Sequence, residues 1–303
     1  MNAPTVSVIA ATRNRPTYLR DLLDSLRAST YASQEVIIVN DGGAARDENA
    51  RVVAEAARAL TVRFEVSERA QGTVRALNRG ASLARGTILT FTDDDCIVDA
   101  GWLARLVAGY ASPQVGGVGG RVIPIENDRV RPLTARPDLR IGRVDADGTV
   151  TSNFDLAGDQ ALEVDHLAGP NMSFRREIFE RLGGFDANYA GNCYRFETDW
   201  GVRVRRAGFS LLFDPRATVA HRRAPTGGNR VQAEEWFYWY ARNHLYFLAK
   251  NFPPLRAARW RFALRLLIQV ARQEQLPAHL GACSRGRAII RACCGAAAGF
   301  ARL

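Results

Sequence analysis

Short apolar, β-branched runs alternate with amphipathic helical stretches through the first third of the chain, and most of the runs stop at a polar turn. Val6 to Ala10 predicts a buried strand. Pro16 opens a helix that sets Leu19, Leu22, Leu23 and Leu26 on one face. Val36 to Val39 predicts a second strand, closed by Asn40-Asp41-Gly42, and a helical stretch runs on to about Leu60. A short strand over Val62 to Val66 precedes a helix after Gly72. Thr87 to Thr92 predicts a strand stopped by Asp93-Asp94-Asp95, with a helix over Trp102 to Tyr110 beyond it. Such alternation with short connections commits the chain to a mostly parallel sheet covered by helices on both faces. Ligands of such sheets bind beyond the carboxyl ends of the strands, and Thr12, Asp41 and Asp93 to Asp95 all fall there.

Residues 126–165 are polar and aperiodic and read as a loop-rich insertion carrying acceptor contacts. A helix over Glu177 to Leu182 stops at Gly183-Gly184, and another from about Asp199 to Ala207 stops at Gly208. A short strand over Leu211 to Phe213 leads towards His221, and from Ala233 onward the chain is mostly helical.

Several residues have a chemical and a plainer reading. The Asp93-Asp94-Asp95 triplet suits a hard divalent cation, which is held by carboxylates plus substrate phosphates; an N-cap cluster is the plainer alternative. Asp41 can accept hydrogen bonds from a nucleobase or serve an Asn-Asp-Gly turn. Glu197 and Asp199 offer a general base or a favourable charge at a helix start. His221 alone reads as structural or as a ligand.

Seven segments in one order resemble glycosyltransferase family 2 over roughly residues 4 to 250. They are Val6 to Pro16, Val39-Asn40-Asp41-Gly42, Gly72 with Ala76 to Gly80, Thr92 to Asp95, Gly169 to Arg176 with Gly183 to Asp186, Glu197 to Asp199 with Arg203 and Gly208, and Asp214-Pro215 to His221. The resemblance implies a GT-A, Rossmann-like, mostly parallel sheet flanked by helices, with a C-terminal helical appendage. It implies an inverting, metal-dependent enzyme moving a hexosyl or deoxyhexosyl group from a nucleotide-diphosphate sugar to a saccharide or lipid-linked acceptor. Polysaccharide or glycolipid assembly is the implied setting, with rhamnosyl transfer one such chemistry. Thr12, Asp41, Asn78 and Asp94 would bind the nucleotide, and Asn171 would line the donor/acceptor pocket. Asp93, Asp95 and His221 would hold Mg²⁺ or Mn²⁺, and Glu197 would be the base, with Asp199 the alternative. Phe196-Glu197 stands where the family usually has Glu-Asp, Ala11 where proline is common and Leu77 where arginine is common.

These readings divide the chain into a catalytic domain, 1–230, and a basic, aromatic-rich tail, 231–303. Within the first, 1–120 is the nucleotide half and 121–230 the acceptor half. The net charge of +10 comes almost wholly from the end of the tail, where residues 245–303 hold ten cationic side chains against one acid, Glu274. A helix over Arg256 to Gln273 would cluster Arg261, Arg265 and Arg272 within about 40°. Trp260, Leu264, Leu267, Ile268 and Ala271 fall on a separate arc, which suits an anionic membrane surface or packing on the catalytic domain. With no signal peptide or apolar run of membrane-spanning length read, and an odd number of cysteines without ligand spacing, the expected place is the cytoplasm or the inner face of the plasma membrane. No nucleic-acid motif is visible. The alternatives are a sugar-nucleotide nucleotidyltransferase, disfavoured by the glycine-free Ala10 to Asn14 turn, and a non-catalytic carbohydrate- or membrane-binding module.

Overall fold

The computed structural model describes residues 5–126, 129–131, 138–231, 233–252, 260–266, 268 and 285–301. The strands are β1 (Val6–Thr12), β2 (Gln34–Asp41), β3 (Val62–Ser67), β4 (Ile88–Phe91), β5 (Cys96–Val98), β6 (Val115–Glu126), β7 (Arg129–Val130), β8 (Arg143–Val144), β9 (Val150–Thr151), β10 (Leu162–Val164), β11 (Met172–Arg175) and β12 (Ser210–His221). The helices are α1 (Pro16–Arg27), α2 (Arg46–Ala56), α3 (Thr73–Leu83), α4 (Trp102–Ala108), α5 (Arg176–Arg181), α6 (Phe196–Arg206) and α7 (Ala233–Asn251), with α8 (Arg285–Ala301) last.

One sheet of order β10-β12-β6-β11-β4-β1-β2-β3 organises the chain, and β1 to β4 are mutually parallel. Period-2 alternation splits β1 and β2 between two cores. Val8, Ala10, Val36 and Ile38 face α1, α2 and α4, while Ile9, Ile37 and Val39 face α3, α5 and α6. Burial on both faces is why these strands read as unbroken apolar runs. Leu19, Leu22, Leu23 and Leu26 of α1 are all buried, as their spacing predicts.

The centre of the sheet holds β6 and β11, which local pattern did not predict. β6 begins Val-Gly-Gly-Val-Gly-Gly, a composition poor in strand formers. Packing explains the glycines: a Cβ on Gly120 would lie 1.9 Å from the Ala217 carbonyl oxygen of the neighbouring β12. β11 runs antiparallel to both β4 and β6, so β6 and β12 run with β1 and β4. His221, at the end of β12, therefore reaches the same sheet edge as Thr12 and the acidic triplet.

An aromatic cluster fixes α6 against the sheet. Phe185 packs 4.9 Å from Phe91 and Phe179 and 5.6 Å from Trp200, centroid to centroid. Pairs of this kind add about 0.5–1.5 kcal/mol each beyond their buried area. α7 belongs to the same body, since Phe247 and Leu248 join the core that holds Trp200. α8 packs along α7 so closely that a Cβ on Gly295 would meet the Tyr238 carbonyl oxygen at 2.1 Å. The boundary expected at residue 230 thus precedes a helix that shares the core of the preceding residues. Of the helix expected over 256–273, residues 260–266 and 268 are helical and the others, Arg272 among them, lie outside the described residues.

Candidate active site

The acidic triplet follows β4, where the chain leaves the sheet, and its three carboxylates take different partners. Thr12 Oγ1 donates to Asp94 Oδ2 at 2.8 Å. Arg15 Nη1 donates to Asp94 Oδ1 at 2.8 Å and to Asp95 Oδ2 at 3.3 Å. The same guanidinium donates to the carbonyls of Thr226 and Gly227, and the Ala224 amide donates to Asp95 Oδ2 at 2.8 Å. Arg15 thereby ties the triplet to the loop at residues 222–230. Burial pushes Asp94 up to about 6 against the pull of Arg15 and Thr12. For Asp95 burial also pushes upward, but His221, Arg15 and the Ala224 amide outweigh it and hold the carboxyl below its usual range.

His221 Nε2 lies 3.1 Å from Asp95 Oδ1 and 3.8 Å from Asp93 Oδ2. Asp95 Oδ1 is buried, and the His221 imidazole is its one close polar neighbour among the described residues. Asp95 and His221 form a tight pair, and Asp93 stands outside it at 3.8 Å from the imidazole; carboxylate and imidazole donors of this kind suit a hard or borderline divalent cation. Cys96 Sγ also falls within the 4.8 Å cluster formed with Asp95 and His221. Burial and then the Asp93 charge push that thiol well up, so it stays protonated and is a poor ligand.

A cleft of about 450 Å³ opens over the triplet. It is lined as well by Tyr194, just before α6, by Phe196 and Glu197 at the start of α6, and by Trp236 from α7. Glu197 is half-buried, and its carboxyl is pushed up to about 7, chiefly by burial, with its own backbone amide and Arg195 pulling down and Asp93 pushing up. Arg223, Asn229 and Arg230 close the rim. Arg230 faces all three aspartates, and burial draws its guanidinium down from the usual value.

Other expected site residues are placed differently. Asp199 is 0% exposed and does not reach the cleft. Its carboxylate accepts from Arg203 Nε at 3.1 Å, Lys250 Nζ at 2.9 Å and Asn251 Nδ2 at 2.8 Å, so it clamps α7 to α6 and is not placed to act as a base. A helical step of two residues turns about 200°, which is why Glu197 and Asp199 face opposite ways. Asn171 is also sealed in, accepting from Trp102 Nε1 and donating to the carbonyls of Arg121 and Ala217; its neighbours Gly169 and Pro170 line the cleft instead. Asn78 hydrogen-bonds both backbone groups of Phe185, pinning that turn to α3. Asp41 stands at the strand edge, with its oxygens accepting from the Gln71 and Gly72 amides at 2.7 and 2.9 Å, so it braces the entry to α3.

The family model described as glycosyl transferase family 2 matches residues 7–183. The chain belongs to glycosyltransferase family 2. It is 28% identical over 225 residues to a glucosyl-dolichyl phosphate glucuronosyltransferase of Haloferax volcanii, covering 72% of this chain and 69% of that one. It is 20% identical to the O-antigen chain rhamnosyltransferase RfbN of Salmonella typhimurium, covering 71% of this chain and 66% of that one. Of two other relatives, both longer proteins, it spans only 30% and 17%. A mannosyltransferase from Pyrobaculum calidifontis, solved with GDP-Man and Mn²⁺, superposes with a TM-score of 0.62 at 21% identity, covering 99% of this chain and 76% of that one. That likeness establishes the GT-A fold for this glycosyltransferase.

Arg15, Arg230, Tyr194 and Trp236 are cleft residues that sequence reasoning missed. The Arg222-Arg223 to Arg230 run around Gly227-Gly228, directly after His221, was the available signal for one of them.

Proposed function

We propose that this family member transfers a sugar from a nucleotide diphosphate to an acceptor hydroxyl with inversion at the anomeric carbon. Glu197 carries the reading: it is a cleft carboxylate with no cationic partner within ion-pair distance among the described residues, raised to about 7, across from the triplet. A base of that strength can take a proton from a hydroxyl near neutral pH. Glu197 accepts the acceptor's proton as the oxygen forms its bond to C1 and the bond from C1 to the diphosphate oxygen breaks. The electron pair of the broken bond leaves with the diphosphate. Arg230 presents positive charge beside the triplet, where the leaving diphosphate would sit. Tyr194 and Trp236 give the acceptor side aromatic faces suited to the apolar faces of a saccharide. A divalent cation, Mg²⁺ or Mn²⁺, bound by Asp93, Asp95 and His221 would neutralise charge on that diphosphate. Relatives named for O-antigen and dolichyl phosphate chemistry support polysaccharide or glycolipid assembly.

Incubating the full chain with GDP-, UDP- and dTDP-sugars and Mn²⁺ tests the reading, with proton NMR of the released or transferred sugar. Inversion of the anomeric centre is the expected product. Retention would remove the single displacement.

A second reading concerns the tail. Trp260, Leu264 and Ile268 repeat every fourth residue and stand 67%, 61% and 40% exposed, while Ala263 and Leu266 of the same helical stretch are buried. Among the described residues no helix is long and apolar enough to cross a membrane. An apolar stripe beside Arg261 and Arg265 supports contact with an anionic leaflet. Co-sedimentation with liposomes should grow with anionic lipid and weaken in high salt; a chain that stays in the supernatant throughout would dismiss it.

A further inference from the structure

A second cavity, of about 180 Å³, lies between α7, the helical residues 260–266 and the loop at residues 147–150. Its floor is Arg195, the residue that precedes α6, held in a left-handed conformation at φ 77°. Arg195 is 8% exposed. Burying a guanidinium is costly without a compensating anion, yet among the described residues no carboxylate lies within ion-pair distance of it. Its Nε donates to His244 Nδ1 at 3.2 Å, and its guanidinium lies over the Tyr194 ring.

His244 adds a second unused donor. It is buried, stacked on Phe262 with ring centroids 4.0 Å apart. Burial first, and then the Arg195 charge, pull its imidazole well below the usual value, so it is neutral. With Nδ1 accepting, Nε2 carries the hydrogen, and no described protein acceptor takes it. Arg261 and Arg265 line the mouth, and the one acid there, Asp147, lies 3.9 Å from Arg261. Three guanidiniums and one carboxylate line a space sized for a small oxyanion, and Arg195 acts at longer range on the Glu197 carboxyl as well.

We infer that this cavity is a phosphate-binding subsite that holds an anionic group of the acceptor. The inference rests on the transfer reading above. Tyr194 and Arg195 are consecutive: the first lines the catalytic cleft, the second this cavity, and Glu197 follows two residues on. Tyr194 packs 4.5 Å from Tyr240, which lines the cavity, so the two spaces share a wall. A phosphate seated on Arg195, Arg261 and Arg265 would anchor the acceptor beside that wall, on the side of the candidate base. Forked guanidiniums suit phosphate oxygens well. The phosphate can come from a soluble phosphorylated acceptor or from a lipid headgroup, since the exposed Trp260 and Leu264 flank Arg261 and Arg265.

The test uses inorganic phosphate with the full chain in EDTA at constant ionic strength. Wild type should gain roughly 2–4 °C in Tm at phosphate about tenfold above its Kd. The double variant Arg261→Gln/Arg265→Gln should lose the gain, Asp147→Asn should reach it at lower phosphate, and Arg287→Gln, on α8, should keep it. No gain in wild type, or an equal gain in the double variant, overturns the subsite. Phosphatidylcholine vesicles doped with phosphatidic acid separate the sources. Binding to vesicles that disappears in the double variant assigns a lipid phosphate, and phosphate stabilisation without vesicle binding assigns a soluble acceptor. Hydrolysis of the sugar nucleotide to water should be equal in wild type and the double variant. Absence of hydrolysis in both would count against the transfer reading and leave the phosphate result standing.

Discussion

On the strand-edge wall of the cleft, carboxylates are held by partners: Asp94 by Thr12 and Arg15, Asp95 by Arg15 and the Ala224 amide. On the helical wall, Glu197 has aromatic neighbours and, among the described residues, no cation within ion-pair distance. The contrast lies between Asp95 and Glu197 rather than between whole walls, since burial also raises Asp93 and lifts Asp94 to about 6 despite its partners. Pairing holds Asp95 ionised for charge binding, whereas desolvation lifts Glu197 to about 7, where it can exchange a proton. Asp199, on the same first turn as Glu197, is sealed in the core, where its hydrogen bonds to Lys250 and Asn251 hold α7 in place.

The largest expected effect separates these two helical carboxylates. Glu197→Gln should lower kcat by ~10²–10⁴ while donor binding and Tm stay at wild-type values. An active Glu197→Gln beside a stable but dead Asp199→Asn would break the comparison. Asp199→Asn should instead destabilise the fold by about 2–3 kcal/mol, because Lys250 and Arg203 lose their buried counter-charge. Chemical denaturation measures that loss, and sugar-nucleotide hydrolysis below the transition should persist.

A smaller effect comes from pH. Glu197 must be ionised to accept a proton, and its raised value delays ionisation to about 7. Transfer should therefore rise with pH between about 6 and 8. In Glu197→Gln that limb should flatten. A profile whose midpoint stays near 4.5 in wild type would mean that the Glu197 carboxyl is solvated and that the helical wall does not tune it.

The alternation of strands and helices determined the sheet, its parallel half and the edge where Thr12 and the acidic triplet gather. Val8, Ile9, Val36 and Ile37 are buried on alternate faces, and burial on two faces writes itself into a sequence as continuous apolar runs. The place of the Asp93 to Asp95 cluster just past a strand end was legible for a similar reason, since the buried apolar run of β4 stops immediately before it. β6 was not legible, because its glycines answer to the backbone of β12 rather than to any local preference. Nor could the sequence separate Glu197 from Asp199, as both are carboxylates in one helical turn. Only tertiary packing decided that: α7 arrives from far along the chain, seals Asp199 with Lys250 and Asn251, and sets Trp236 beside the cleft that Glu197 faces. Burial and pairing are properties of the surroundings, and for these residues the surroundings come from segments distant in sequence.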